Sequence, residues 1–303
     1  MSRLVVIDTD PGIDDAVAIL LALWSPEFDI RGITTVAGNI GIATTTRNAG
    51  RILALAGRSD IPVLIGAAGP LSRKGFDVAD IHGGDGLGGV AFPDPASAPA
   101  GDAVGWLAGL LDENEPDTID ILALGPLTNV ARLVLDRPSS ARRIRRVIAM
   151  GGAVREPGNV GPRSEFNMAA DPEAVAVVLR AGLNLTMIPL DVTRKVRASR
   201  TDTTLLKAAG TTAAIASGEL IDAYFQSGSG RESRPLHDPC VMLQAIEPGL
   251  FGIETFRLSV DISDGPDAGS LLLDEKGGAP VDIAMTVDAA GALQLLLERL
   301  KAR

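Results

Sequence analysis

Cysteine occurs once in the 303 residues, at Cys240. A single thiol excludes an intramolecular disulfide and a thiolate metal cluster. Aromatic residues make up only 3% of the chain, and there are two histidines, His82 and His237. No apolar run approaches the roughly 18 residues that cross a bilayer. The opening MSRLVVIDTD has four apolar residues in a row before an aspartate, too few for a signal-peptide core. A cytoplasmic protein with no membrane partner is therefore expected. Basic residues are the minority, 28 against 38 acidic, for a net charge of −10. Such a chain lacks the cations that neutralise nucleic-acid phosphates, which argues against nucleic acid as a partner.

The composition is 46% hydrophobic and 22% charged, with 34 glycines and 19 prolines, as in ordinary globular chains. Residues 4–7 form a short apolar run closed by Asp8-Thr9-Asp10-Pro11-Gly12, and residues 13–24 then continue without glycine or proline. A buried strand, a tight turn and a helix fit this pattern. Similar units follow: strand-like runs at 31–36, 61–65, 119–124, 146–150 and 185–190, and helix-like segments at 44–56, 127–135 and 172–181. This alternation predicts an α/β fold, a mostly parallel central sheet flanked by helices on both faces. Residues 256–262, 270–273 and 281–287 read as strands between Gly, Pro and Asp turns, before a last helix at 289–300. They predict a small antiparallel C-terminal addition. No linker or repeat divides the chain, so 1–303 is expected to be one domain.

Asp8, Asp10, Asp14 and Asp15 fall within eight residues. One or two would serve as helix-start charges. Four at the end of a buried strand repel one another unless a cation lies between them, and all-oxygen donors suit a hard divalent ion. The turn at Pro11-Gly12 lets Asp10 face Asp14 or Asp15. Such an ion would leave room for water and substrate oxygens, lower the pKa of a water, and leave a carboxylate to accept its proton.

The run Asp8-Thr9-Asp10-Pro11-Gly12-Ile13-Asp14-Asp15 resembles the N-terminal signature of the inosine-uridine-preferring nucleoside hydrolase family. Further segments agree in order: Val36-Ala37-Gly38-Asn39, LALGPLTN at 122–129, Met150-Gly151-Gly152-Ala153, Gly158-Asn159, Glu165-Phe166-Asn167, Pro189-Leu190-Asp191-Val192-Thr193 and His237-Asp238-Pro239. The resemblance implies hydrolysis of the N-glycosidic bond of a ribonucleoside, in purine or pyrimidine salvage, with tightly bound Ca²⁺. It implies Asp10, Asp15 and Asp238 as carboxylate ligands and Leu124 as a backbone-carbonyl ligand. Asp10 would also be the general base. Asp14, Asn39, Asn159, Glu165 and Asn167 would hold ribose hydroxyls, and a homodimer or homotetramer is implied. A missing hydroxyl would leave ligands unsatisfied, so deoxyribosides would be disfavoured.

His237 would protonate the departing base or orient it. His82 precedes the glycine-rich 83–89 and could contact substrate from a loop that closes over it. Phe225 could pack on the base face, although an aromatic on a helix is more often core. Asn159, Glu165 and Asn167 would otherwise bond local backbone, and Asn39 could cap the next helix. GSGRESR at 228–234 has no tyrosine of the kind that pyrimidine-preferring members carry shortly before the histidine. The basic run 142–146 reads as a solvated segment, and Cys240 as a small buried residue. Two alternatives are a catalytically silent calcium-containing nucleoside or ribose binder and a haloacid-dehalogenase-like phosphatase. The second wants Thr or Val where this chain has Gly12, and it leaves His237-Asp238 unexplained.

Overall fold

The computed structural model of the chain describes residues 2–78, 81, 83–226 and 232–302. Strand β1 (Arg3–Thr9) is buried from Val5 onward. Its side chains alternate between two cores: Val5 and Ile7 enter one, Val6 the other. β4 (Ile119–Ala123) and β5 (Arg146–Met150) divide in the same way, with Leu122, Ile148 and Met150 on the first face and Ile121, Val147 and Ala149 on the second. This is the two-residue period of a strand covered on both sides.

The helices supply the covers. Ile13–Leu23, Thr212–Gln226, Pro239–Ile246 and Ala289–Lys301 pack on the first face. Ala103–Glu113, Thr128–Asp136 and Pro172–Arg180 pack on the second. Ile13–Leu23 is buried through its first ten residues, as expected of a helix enclosed all round. Among the described residues no helix is long and apolar enough to cross a membrane.

With β2 (Phe28–Thr35), β3 (Val63–Ile65), β6 (Leu185–Ile188), β9 (Phe251–Val260), β10 (Leu271–Leu273) and β11 (Ala279–Val287), the main sheet has the order β10-β9-β11-β6-β5-β4-β1-β2-β3. The run from β3 to β6 is parallel. The antiparallel addition is built onto the edge of this sheet. β11 still runs parallel to β6 through Asp282 and Ile283, and β9 is the strand that reverses, pairing antiparallel with β11 and β10. β7 (Arg197–Ser199) and β8 (Ser233–Pro235) form a separate two-stranded antiparallel ribbon.

Element ends differ from the apolar pattern where strands reach the rim. β2 starts at Phe28, because Phe28 and Asp29 pair with Arg3 and Leu4 outside the core. Parallel order brings the carboxyl ends of β1 to β6 to one side of the sheet, where open α/β sheets bind ligands.

Asn129 ties three of these strand ends together. Its Nδ2 donates to Asp8 Oδ1 (2.7 Å) and to the Thr35 carbonyl (2.9 Å), and its Oδ1 accepts from the Ala67 N–H (2.9 Å). Asn129→Leu keeps the volume and strands these buried groups. At about 1–3 kcal/mol per unsatisfied buried group, we expect a loss of about 2–4 kcal/mol in urea unfolding. A loss below about 1 kcal/mol would show that the strand ends hold without it.

Candidate active site

The floor of the site is built where β1 gives way to its helix. Asp15, in the first turn, is held from three sides. Thr9 Oγ1 donates to its Oδ1 (2.6 Å), while the Gly12 N–H and Asn39 Nδ2 donate to its Oδ2 (3.0 Å each). Asp10 receives the Asn39 N–H on Oδ2 at 2.7 Å, and its buried Oδ1 has no hydrogen-bond partner among the described residues. The space around that carboxylate exists because two neighbours lack a side chain. A Cβ on Gly38 would lie 2.1 Å from Oδ2, and one on Gly125 2.3 Å from Oδ1. Asp238 stands at the start of the helix Pro239–Ile246, facing the start of Ile13–Leu23. One oxygen each from Asp14, Asp15 and Asp238 lies within 4.8 Å of the others. Asp10 stands beside this trio.

Burial pushes the Asp10 and Asp238 carboxyls well above the usual range, and the neighbouring aspartates push them further. Asp14 rises to about 7 for the same two reasons, although the backbone N–H groups of His237 and Asp238 draw it back. Carboxylates packed so closely favour a cation between them. The donors are all hard oxygens, including the orphaned Oδ1 of Asp10, and they fit a divalent metal ion.

The second wall comes from the segments after β4 and β5. Glu165 caps the short helix Phe166–Ala170, accepting from the N–H groups of Asn167 (3.0 Å) and Met168 (3.2 Å), and it also accepts from Gly152 (3.0 Å). Burial raises its carboxyl to about 7 against those three N–H groups. Asn167 Nδ2 donates to the Leu124 carbonyl (2.6 Å) and the Met150 carbonyl (3.2 Å). Asn159 Oδ1 accepts the Phe166 N–H at 2.9 Å. Asn159 bonds within its own segment, whereas Glu165 and Asn167 also reach the segments after β4 and β5, and all three border the cleft.

The cleft is partly open to solvent and takes in about 570 Å³ of space, the solvent at its mouth included. Asp14, Asn39, Leu124, Asn159, Glu165, Asn167, His237 and Asp238 all line it. Asp10 and Asp15 lie beneath. Asn39 caps nothing: Gly41 begins the helix Ile42–Leu55, and Asn39 bridges Asp10 and Asp15 instead.

Phe225 is a different case. It is buried, with the Arg200 guanidinium 4.4 Å from its ring centroid, and it does not line the cleft. Successive helical residues point about 100° apart, and the residue that reaches the cleft is its neighbour Tyr224, whose ring carries the Arg234 guanidinium at 4.8 Å. His82 lies outside the described residues. Val78, Ile81, Met150, Val160 and Phe166 complete the lining, and their scattered apolar character gives no signal in the sequence.

Three other candidates fall away from the cleft. Asp8 is buried beneath it, its Oδ1 held by Thr34 (2.6 Å) and Asn129, and burial raises its carboxyl to about 6. Cys240 Sγ donates to the Leu236 carbonyl at 3.2 Å, and burial raises the thiol, which makes it inert. In the basic run, Arg145 and Arg146 pair with buried Asp120 at the amino ends of the strands.

Comparison with known proteins agrees with this architecture. The sequence model of the inosine-uridine preferring nucleoside hydrolases matches residues 5–294. The pyrimidine-specific ribonucleoside hydrolase RihA of Citrobacter koseri is 39% identical over 309 residues, covering 99% of this chain and 98% of that protein. The non-specific ribonucleoside hydrolase RihC of Salmonella paratyphi A is 38% identical over 299 residues, covering 97% and 96%. The solved plant nucleoside hydrolase PpNRh1 superposes with a TM-score of 0.94 at 34% identity over the whole of both chains. Matched in sequence and in fold along nearly all its length, this chain belongs to the inosine-uridine preferring nucleoside hydrolase family.

Proposed function

We propose that the chain cleaves the N-glycosidic bond of ribonucleosides with water, giving free base and ribose, and does so with Ca²⁺. The observation that carries this reading is the group of buried carboxylates under a cleft whose rim is set with Asn39, Asn159, Glu165 and Asn167. Asp10, Asp15, Asp238 and the Leu124 carbonyl would hold the ion. Bound there, it supplies Lewis acidity that lowers the pKa of a water and fixes the ribose 2′- and 3′-hydroxyls.

The chain's own groups do the rest. Asp10 takes a proton from the attacking water, and the Asn39 N–H on its Oδ2 keeps the carboxylate in place. Asp14, Asn39, Asn159, Glu165 and Asn167 orient the ribose. Positive charge builds on the ribosyl ring as the bond breaks, and an acidic pocket stabilises that transition state over the ground state. His237, which lines the same cleft, meets the leaving base. The relatives named pyrimidine-specific and non-specific are almost equally similar to this chain, so overall identity does not choose the base. Cytoplasmic nucleoside salvage by a homodimer or homotetramer belongs to the same reading.

Ribose release from inosine, adenosine, guanosine, uridine and cytidine tests it, with 2′-deoxyinosine as control. Release from at least one riboside, lost on chelation and absent with the deoxyriboside, is expected. Silence from metal-loaded protein would overturn the reading. Asp10→Asn should lower kcat by about 10³-fold, within the range for general-base removal, and near-wild-type turnover would take the base role from Asp10. Asp238→Ala should weaken Ca²⁺ binding by about ten-fold or more in titration calorimetry; unchanged affinity would remove it from the ligand set.

A further inference from the structure

The helical turn Leu190–Thr193 touches both walls of the cleft. The Leu190 N–H donates to the Gly152 carbonyl at 2.9 Å. Asp191 accepts the backbone N–H groups of Val154 (2.9 Å), Arg155 (2.7 Å) and Glu156 (3.3 Å). Arg194, next in sequence, donates to the carbonyls of Pro157 (2.8 Å) and Gly158 (2.9 Å). The loop leading to Asn159 is fastened to the turn along its whole length. From the same turn, Thr193 Oγ1 stands 2.8 Å from His237 Nδ1.

That contact can run in either direction, and burial decides which. Thr193 is fully buried, and among the described residues His237 Nδ1 is the one recorded partner of its hydroxyl. A hydroxyl carries one proton that needs an acceptor. Were Nδ1 protonated, the Thr193 O–H would have no acceptor among the described residues, a state that buried donors avoid. The two ring nitrogens of a neutral histidine divide the roles of donor and acceptor, and the partner of one fixes the state of the other.

We infer that Thr193 donates to Nδ1 and holds His237 as the Nε2–H tautomer, so that His237 presents a hydrogen-bond donor to the leaving base. This rests on the reading of the cleft as a ribonucleoside site. Thr193 is then a positioning residue. As the C1′–N electron pair moves onto the base, the bond from Nε2–H to an acceptor lone pair on that base strengthens, and no proton changes owner. The matching leaving group is a heterocycle with a ring-nitrogen or carbonyl-oxygen acceptor. A nitrophenolate departs without such help.

The test uses the full-length protein. With two histidines in the chain, long-range ¹H–¹⁵N imidazole spectra of wild type and His82→Asn assign the His237 signals. Wild type should show Nδ1 unprotonated and Nε2 protonated, and Thr193→Val should show mixed tautomers. Kinetically, Thr193→Val should lower kcat for inosine or uridine by about ten-fold or more with KM within about two-fold. It should leave a nitrophenyl riboside within about three-fold, and Thr193→Ser should restore the nucleoside rate. A protonated Nδ1 in wild type, equal losses on both substrates, or failure of serine to rescue would overturn the assignment. If wild type cleaves neither substrate, the hydrolase reading fails, while the spectra still decide the tautomer.

Discussion

Everything at the working end of this molecule depends on keeping several carboxylates of one sign buried and close together. Asp14, Asp15 and Asp238 approach one another at the starts of two helices, with Asp10 alongside. Helix N-termini favour negative charge, each contributing a fraction of a unit of positive potential. That is less than such a group requires. The fold makes up part of the difference with directed N–H and hydroxyl donors, most of them on Asp15, and leaves Asp10 Oδ1 without one among the described residues. An arrangement short of positive charge and short of donors at one atom is what a cation site needs before the cation arrives.

The parallel sheet is the device that makes this affordable. Six strand ends converge on one side, and the short segments that follow them are held by one another. Asn129 ties Asp8 to the ends of β2 and β3, Asn167 ties Leu124 to Met150, and Glu165 ties the helix it caps to Gly152. Polar side chains that satisfy backbone groups across loops fix those loops, so the cleft is shaped by bonds between segments rather than within them.

How far the sequence reveals this follows from how local each feature is. The first aspartate cluster is contiguous, and its turn and helix are written beside it. The strand alternation of β1, β4 and β5 is equally local. The helix Arg200–Ala209 is harder to see, because only Thr203 and Leu206 are buried along it; its signal is the Ser199–Asp202 capping box and the closing Gly210. Phe225 and Tyr224 are adjacent, and choosing between them needs the rotational phase of a helix, which depends on packing far away in sequence. Asn39 looks like a helix cap until Gly41 is seen to begin that helix. Thr193 is unremarkable in sequence, since its partner lies 44 residues on.

The two borders of the sheet have a further consequence. β3 and β10 are each three residues long, and β3 is already joined on its outer side by a bridge from Leu64 to Ala100. An exposed strand edge is a template for adding another chain. At the other border β10 pairs only with Leu258, Ser259 and Val260, and the outer edge of β9 from Phe251 to Phe256 has no paired strand among the described residues. Most of that stretch is exposed, and Glu254 within it and Arg257 beside it put charge on the edge, one of the ways native sheets discourage the addition of another strand.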